Sequence, residues 1–105
     1  MRRRVWRFRF AAAAARHVEE IVGWWREYRP RAPGLFAAEL DQCRARLAKW
    51  PNLGSPYPHP AVAGLRRALL RTTRYHVYYS VDVVAGCIMI HATWHASRGS
   101  IPELG

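Results

Sequence analysis

The chain has 105 residues, half of them hydrophobic, and its 17 basic and 7 acidic residues give a net charge of +10. This length and composition predict one domain, 1–105, with a single core, and exclude a disordered chain. No apolar run approaches the ~20 residues of a membrane span, and the charges near the start do not fit a signal peptide, so a cytoplasmic location is expected.

The basic charge predicts a polyanion, an acidic protein or a membrane surface as a partner. Lys49 is the only lysine, so arginine carries nearly all of this charge. A basic face that is merely solvated is the alternative. Cys43 and Cys87 fall within apolar patterns, which predicts free, buried thiols in a reducing compartment.

The first two elements are a strand and a helix. Val5–Phe10 alternates aromatic and basic residues, as a half-buried strand does. Ala11–Tyr28 is predicted to be a helix, whose apolar side includes Val18, Ile21 and Trp25. Trp24 lies off this stripe, where it either flanks the core or serves as an exposed interface anchor.

A second helix is predicted from Gly34 to Trp50, and Pro51 ends it. Its apolar residues recur at steps of four and three, which is the spacing of a seam along an antiparallel partner helix. The seam consists of Phe36, Leu40, Cys43, Leu47 and Trp50. The two helices should therefore form a hairpin.

After an irregular, proline-rich connection from Pro51 to Gly64, three strands are predicted: Leu65–Arg71, Tyr75–Val81 and Cys87–Trp94. Short connections favour an antiparallel meander. Neither of the last two strands has a fully polar face, so one side of the sheet and part of the other need cover. Strict alternation would place Ile88, Ile90, Ala92 and Trp94 on one face of the last strand. The predicted fold is α+β, in the order β-α-α-β-β-β, with a helical hairpin on one face of an antiparallel-rich sheet.

Sequence motifs do not favour metal, phosphate-loop or serine-hydrolase chemistry. His91 and His95 would lie ~13 Å apart on an extended strand, too far to share one ion. No cofactor and no metal are expected. What remains is a basic and aromatic set that could serve RNA cleavage or simple anion binding. Its members are Arg66, Arg67, Arg71, Arg74, His76, Tyr78, His91, His95 and Arg98.

The sequence resembles the RelE/ParE toxins of bacterial type II toxin–antitoxin modules over nearly its whole length. The resemblance rests on VWRFRF before an alanine-rich helix, on a second helix ending in Leu47-x-x-x-Pro51-x-x-Gly54, on GLRRALLRTTRYHVYYSVD and on CIMIHATWHASRG. It implies a toxin of a plasmid-stabilisation type module that is neutralised by an acidic, ParD-like antitoxin in a hetero-oligomer.

The family's two branches imply different mechanisms. RelE-like members cut mRNA in the ribosomal A site, whereas ParE-like members inhibit DNA gyrase and are not nucleases. The chain lacks a lysine cluster near the first meander strand and has no Tyr or Phe after Trp94. Its Pro51–Gly54 stretch and its long two-helix hairpin look ParE-like. The expectation is therefore a gyrase inhibitor. An mRNA endonuclease and an inactive, antitoxin-binding member are the alternatives.

Site residues follow from this interpretation. Target binding is assigned to Arg66, Arg74, Trp94, His95 and Arg98, and antitoxin binding to Trp24, Arg71 and Tyr78. If the protein is a nuclease, its catalytic residues are expected to be Arg66, His95 and Arg98, with His95 moving protons and Arg66 stabilising charge.

Overall fold

The computed structural model describes residues 5–99, 101 and 104. Within these residues, two helices and five strands make an α+β fold, which confirms the predicted class. The elements are β1 (Arg7–Phe10), α1 (Ala12–Tyr28), α2 (Leu35–Lys49), β2 (Ser55–Pro56), β3 (Arg66–Leu70), β4 (Tyr75–Asp82) and β5 (Cys87–His95). Most predicted boundaries lie within one residue of these.

The strands form one sheet in the order β1-β5-β4-β3-β2. The meander β3-β4-β5 is antiparallel, as predicted, while β1 joins the edge of β5 in parallel, with Arg7 opposite Cys87. The two residues of β2 lie inside the segment predicted to be irregular and pair with β3. No helix in the described part of the chain is long and apolar enough to cross a membrane.

The main core lies between the helical hairpin and one face of the sheet. Helix α2 contributes Phe36, Leu40, Cys43 and Leu47, which are all buried, so four members of the predicted seam are confirmed. Trp50 is the exception. It lies one residue beyond α2 and is 59% exposed, because the helical periodicity ends at Lys49.

A β-bulge interrupts the alternation of β5. Tyr78 pairs with Ala92, but Tyr79 pairs with Ile90, so His91 is an extra residue on β5. Ile90 therefore packs in the helix-side core, whereas Ala92 packs on the opposite face of the sheet. The prediction that both residues share one face was wrong, because a bulge shifts the side-chain alternation by one residue.

The sheet face opposite the helices carries a second, smaller core. Leu65, Tyr78, Ala92 and Leu104 are buried there. Residues of the proline-rich connection and of the segment after β5 complete the cluster: Tyr57, Val62 and Ile101, together with Trp94. This confirms that the sheet needs partial cover on its second face. Both cysteines are free and buried, as expected.

Candidate functional site

A cleft of about 500 Å³ opens between α1 and the C-terminal end of β5. The α1 residues are spaced so that they lie on one side of the helix. The opposite wall comes from the sheet and the chain beyond it. The lining consists of Arg16, His17, Glu20, Ile21 and Trp24 on α1, and Tyr75, Thr93, Trp94, His95 and Arg98 on the other wall. Three predicted target-binding residues thus share one cleft with Trp24, a predicted antitoxin-binding residue.

Trp94 and Arg98 form one side of the cleft. The guanidinium carbon of Arg98 lies 4.1 Å from the centroid of the Trp94 ring, which is a cation–π contact. The Trp94 ring also lies 5.5 Å from the ring of His17. The ring of Trp94 therefore holds the Arg98 guanidinium at the cleft.

His95 is fixed at the end of β5. Its Nδ1 accepts a hydrogen bond from the backbone N–H of Ser97 at 3.1 Å, and the hydroxyl of Ser97 lies 2.7 Å from the same nitrogen. Its ring meets the ring of Tyr75 edge-on at 5.0 Å. With Nδ1 as the acceptor, the neutral imidazole carries its proton on Nε2.

His17 is a member of the cleft that sequence reasoning missed. Its Nδ1 accepts a hydrogen bond from the backbone N–H of Thr93 at 3.4 Å. Burial is the main cause that lowers the pKa of His17. The carboxylate of Glu20 opposes this effect, while Arg16 and Arg98 reinforce it. Nothing local marked His17, because its importance depends on contact with a strand 76 residues away.

Arg66 lies apart from this cleft. Its guanidinium donates to the backbone oxygens of Asn52 at 3.1 Å and Gly54 at 2.6 Å. Arg66 pairs with Tyr79, whereas His95 pairs with Tyr75 four residues along the same strand. This offset is about 13 Å, and two strand spacings of about 5 Å also separate β3 from β5. The structure does not bring the predicted catalytic pair together.

The remaining predicted residues are dispersed. Arg74 is exposed in the turn between β3 and β4 with a φ of 67°, and its carbonyl accepts a hydrogen bond from the N–H of Ala96 at 2.7 Å. Arg71 is exposed in the same turn. Tyr78 is only 2% exposed, so this conformation gives a partner no access to most of its ring. Trp24, in contrast, is 41% exposed.

Solved structures resemble this fold, although no known family model and no curated protein matches the sequence. A chain of the chromosomal ParDE toxin–antitoxin system from P. aeruginosa matches with a TM-score of 0.68 and 16% identity, over 90% of this chain and 99% of that one. The RelBE2 toxin–antitoxin complex from Mycobacterium tuberculosis matches with a TM-score of 0.57 and 23% identity, over 87% of this chain and 98% of the matched one. The isolated E. coli RelE toxin matches with a TM-score of 0.58 and 15% identity, over 91% of this chain and 89% of the matched one. The chain has the fold of the RelE/ParE toxins.

Within this RelE/ParE fold, the Pro51-x-x-Gly54 spacing has a structural cause. The hydroxyl of Tyr79 donates to the backbone oxygen of Pro51 and accepts from the backbone N–H of Gly54, both at 2.8 Å. Arg66 holds the same segment through the carbonyl of Gly54. The motif therefore anchors the chain after α2 to the sheet.

The sheet face opposite the helices carries a further basic and aromatic group in this RelE/ParE fold. The guanidinium carbon of Arg67 lies 4.9 Å from the ring centroid of Tyr57. Burial lowers the pKa of His76, and the nearby Arg67 lowers it further. Ser80 Oγ lies 2.8 Å from His91 Nε2, and burial lowers the pKa of His91. In the described part of the chain, no three His, Cys, Asp or Glu side chains are grouped to hold a metal ion.

Proposed function

We propose that this protein is the toxin of a toxin–antitoxin module, that an acidic, ParD-like antitoxin neutralises it, and that its target is DNA gyrase. The toxin proposal is supported by the fold, which is similar to chains of the ParDE and RelBE2 systems. The antitoxin proposal is supported by the net charge of +10. Such a charge favours an acidic partner.

The separation of Arg66 from His95 is the observation that favours gyrase over mRNA. A nuclease of the expected kind needs a proton-transfer group and a charge stabiliser within reach of the same phosphate. Arg66 instead donates to two backbone carbonyls beside Pro51. The side chains that do converge, Trp94, His95 and Arg98, line a cleft with aromatic and basic character. Aromatic residues and arginine are the residues that dominate protein–protein interfaces.

Induction of the chain without its antitoxin tests this proposal. We expect DNA breaks and an SOS response, with no new cleavage of mRNA in translating ribosomes. The matched control is the same induction together with the product of the neighbouring gene, which should suppress the DNA damage. Cleaved mRNA without DNA breaks would contradict the gyrase proposal, and the absence of any toxicity would indicate an inactive member.

Ribosome-dependent mRNA cleavage is the second candidate function, and the basic and aromatic group on the sheet face opposite the helices favours it. His76 lies there with a lowered pKa, so its neutral form can accept a proton near neutral pH, and Arg67 is close enough to affect it. This candidate predicts that His76→Ala abolishes mRNA cutting. The candidate fails if the purified protein does not cut mRNA in the presence of ribosomes.

A further inference from the structure

We propose that the cleft between α1 and β5 is the anchor site for an acidic segment of the antitoxin, which thereby covers the target-binding residues. In this arrangement a carboxylate binds Arg98 and Arg16, and a neighbouring apolar side chain packs against Ile21 and Trp24. The inference rests on the proposed toxin function and names the partner chemistry of the same cleft.

The Arg98 side chain is positioned to bind an anion. Its guanidinium lies over the ring of Trp94 at 4.1 Å, so the side chain is ordered before a partner arrives. A guanidinium that contacts a ring through its face keeps the N–H groups at its edge for a carboxylate. Ordering the side chain in advance reduces the entropy that binding costs.

The charges at the cleft favour an anionic partner. Among the described residues, the one ion pair joins Arg44 to Asp41 at 3.4 Å, outside the cleft. Among the described residues that line the cleft, Glu20 is the only carboxylate, and it accompanies Arg16 and Arg98. The cleft therefore carries positive charge that no carboxylate of the described chain pairs with directly, and a partner's carboxylate complements it.

A protein segment fits this cleft better than a nucleic acid does. Single-stranded nucleic acids bind by stacking their bases on aromatic rings. Here Arg98 already lies over Trp94, and Arg29 lies over Trp24 at 5.0 Å. The apolar wall that remains, including Ile21 and Tyr75, suits an aliphatic or aromatic side chain of a partner protein.

The site explains how neutralisation would work. Trp24, assigned to the antitoxin, and the target-binding residues Trp94, His95 and Arg98 line the same cleft. A segment seated there covers the target surface directly. Antitoxin and target should therefore compete, and no conformational change is needed to inactivate the toxin.

The test is co-expression with the product of the neighbouring gene, followed by measurement of the affinity of the purified proteins. Arg98→Glu and Trp24→Ala should each weaken the complex about thirtyfold or more, as loss of an interface anchor does. The matched control is Arg46→Glu, which makes the same charge change at an exposed position of α2 outside the cleft. It should change the affinity by less than about threefold, as a substitution outside the interface does. Thermal unfolding of each free variant checks that the fold is retained.

The outcomes separate the two proposals. If the wild-type chain forms no complex with the neighbouring gene product, both the proposed function and this inference fail. If that complex forms but Arg98→Glu and Trp24→Ala bind as the wild type does, only the inference is overturned. It is also overturned if a short single-stranded oligothymidylate needs Arg98 and Trp24 for binding while the antitoxin does not.

Discussion

The hydroxyl of Tyr79 accepts a hydrogen bond from the backbone N–H of Gly54 at 2.8 Å. Tyr79 belongs to a central strand, and Gly54 lies in the connection between α2 and β2, so this bond joins that connection to the sheet. The same hydroxyl donates to Pro51 at 2.8 Å. A fully buried side chain thereby satisfies polar groups of a segment that has little regular structure.

Tyr79→Phe should lower the free energy of unfolding by about 1–3 kcal/mol, because the change leaves the N–H of Gly54 and the carbonyl of Pro51 without this partner. Denaturant unfolding measures the loss. Tyr28→Phe is the control, since Tyr28 is 55% exposed on α1 and its hydroxyl is not part of this contact. Equal effects of the two substitutions would contradict the anchoring role.

Gly54→Ala should also destabilise the protein. A Cβ at position 54 would lie 2.7 Å from the Tyr79 hydroxyl oxygen and 2.9 Å from the backbone oxygen of Arg67, closer than real contacts allow. We expect a loss of about 1–3 kcal/mol on denaturant unfolding. Gly23→Ala is the control with the opposite sign, because nothing lies within 4 Å of a Cβ there and alanine favours a helix by up to about 1 kcal/mol.

Leu40→Ala should cost about 2–5 kcal/mol of unfolding free energy, because Leu40 is buried in the core between α2 and the sheet. The same change at Leu35, at the exposed start of α2, is the control and should cost much less. A loss of unfolding free energy below about 1 kcal/mol for Leu40→Ala would contradict the prediction that Leu40 stabilises the core through the seam of α2.

Glu39 should make stability depend on pH. Its carboxylate accepts hydrogen bonds from the backbone N–H groups of Thr72 at 2.7 Å and Thr73 at 2.9 Å, and from the Thr73 hydroxyl at 2.6 Å. Burial acts to raise the pKa of Glu39, but these hydrogen bonds outweigh it and the pKa lies below its usual value. The stabilisation is therefore present above the unfolded-state pKa and is lost as pH falls through the folded-state pKa.

Glu39→Gln should accordingly lower the unfolding free energy by about 1–3 kcal/mol near neutral pH, because an ionised acceptor is replaced by a neutral one. The difference from the wild type should shrink in acid, where the wild-type carboxylate is protonated too. Unfolding curves over a pH series measure this. Glu27→Gln, at an exposed position of α1, is the control and should show no such trend.

His95→Ala should reduce toxicity modestly, by less than about tenfold, if His95 belongs to a binding surface. A general acid or base would instead contribute about 10²–10⁴ in rate. Growth inhibition at matched expression, together with gyrase inhibition by purified protein, measures the effect. His59→Ala, in the proline-rich connection, serves as the control. Complete loss of toxicity together with lost mRNA cutting would replace gyrase by mRNA as the target.

Local periodicity was enough to predict both helices, every strand except β2, and the buried side of α2. The steps of four and three from Phe36 to Leu47 mark the buried side of α2, because a helix repeats its faces every 3.6 residues. The alternation of β4 likewise puts Val77 and Tyr79 on one face of the strand, and that face packs in the helix-side core. The spacing of apolar residues along an element shows which of its sides is buried, and this spacing can be read from one sequence.

Contacts between distant residues decided the rest. Only strand pairing reveals that His91 is the extra residue of a bulge, and that Ala92 then changes face. Only the packing of α1 on β5 brings His17 to Thr93 and sets Trp24 across a cleft from Trp94. Arg66 was assigned to the site by its residue type, but its partners are two backbone carbonyls of the loop between α2 and β2. Periodicity gives the direction of a side chain from its own element, whereas its neighbours depend on how the elements pack, so the sequence indicated the layers and the tertiary structure determined the site.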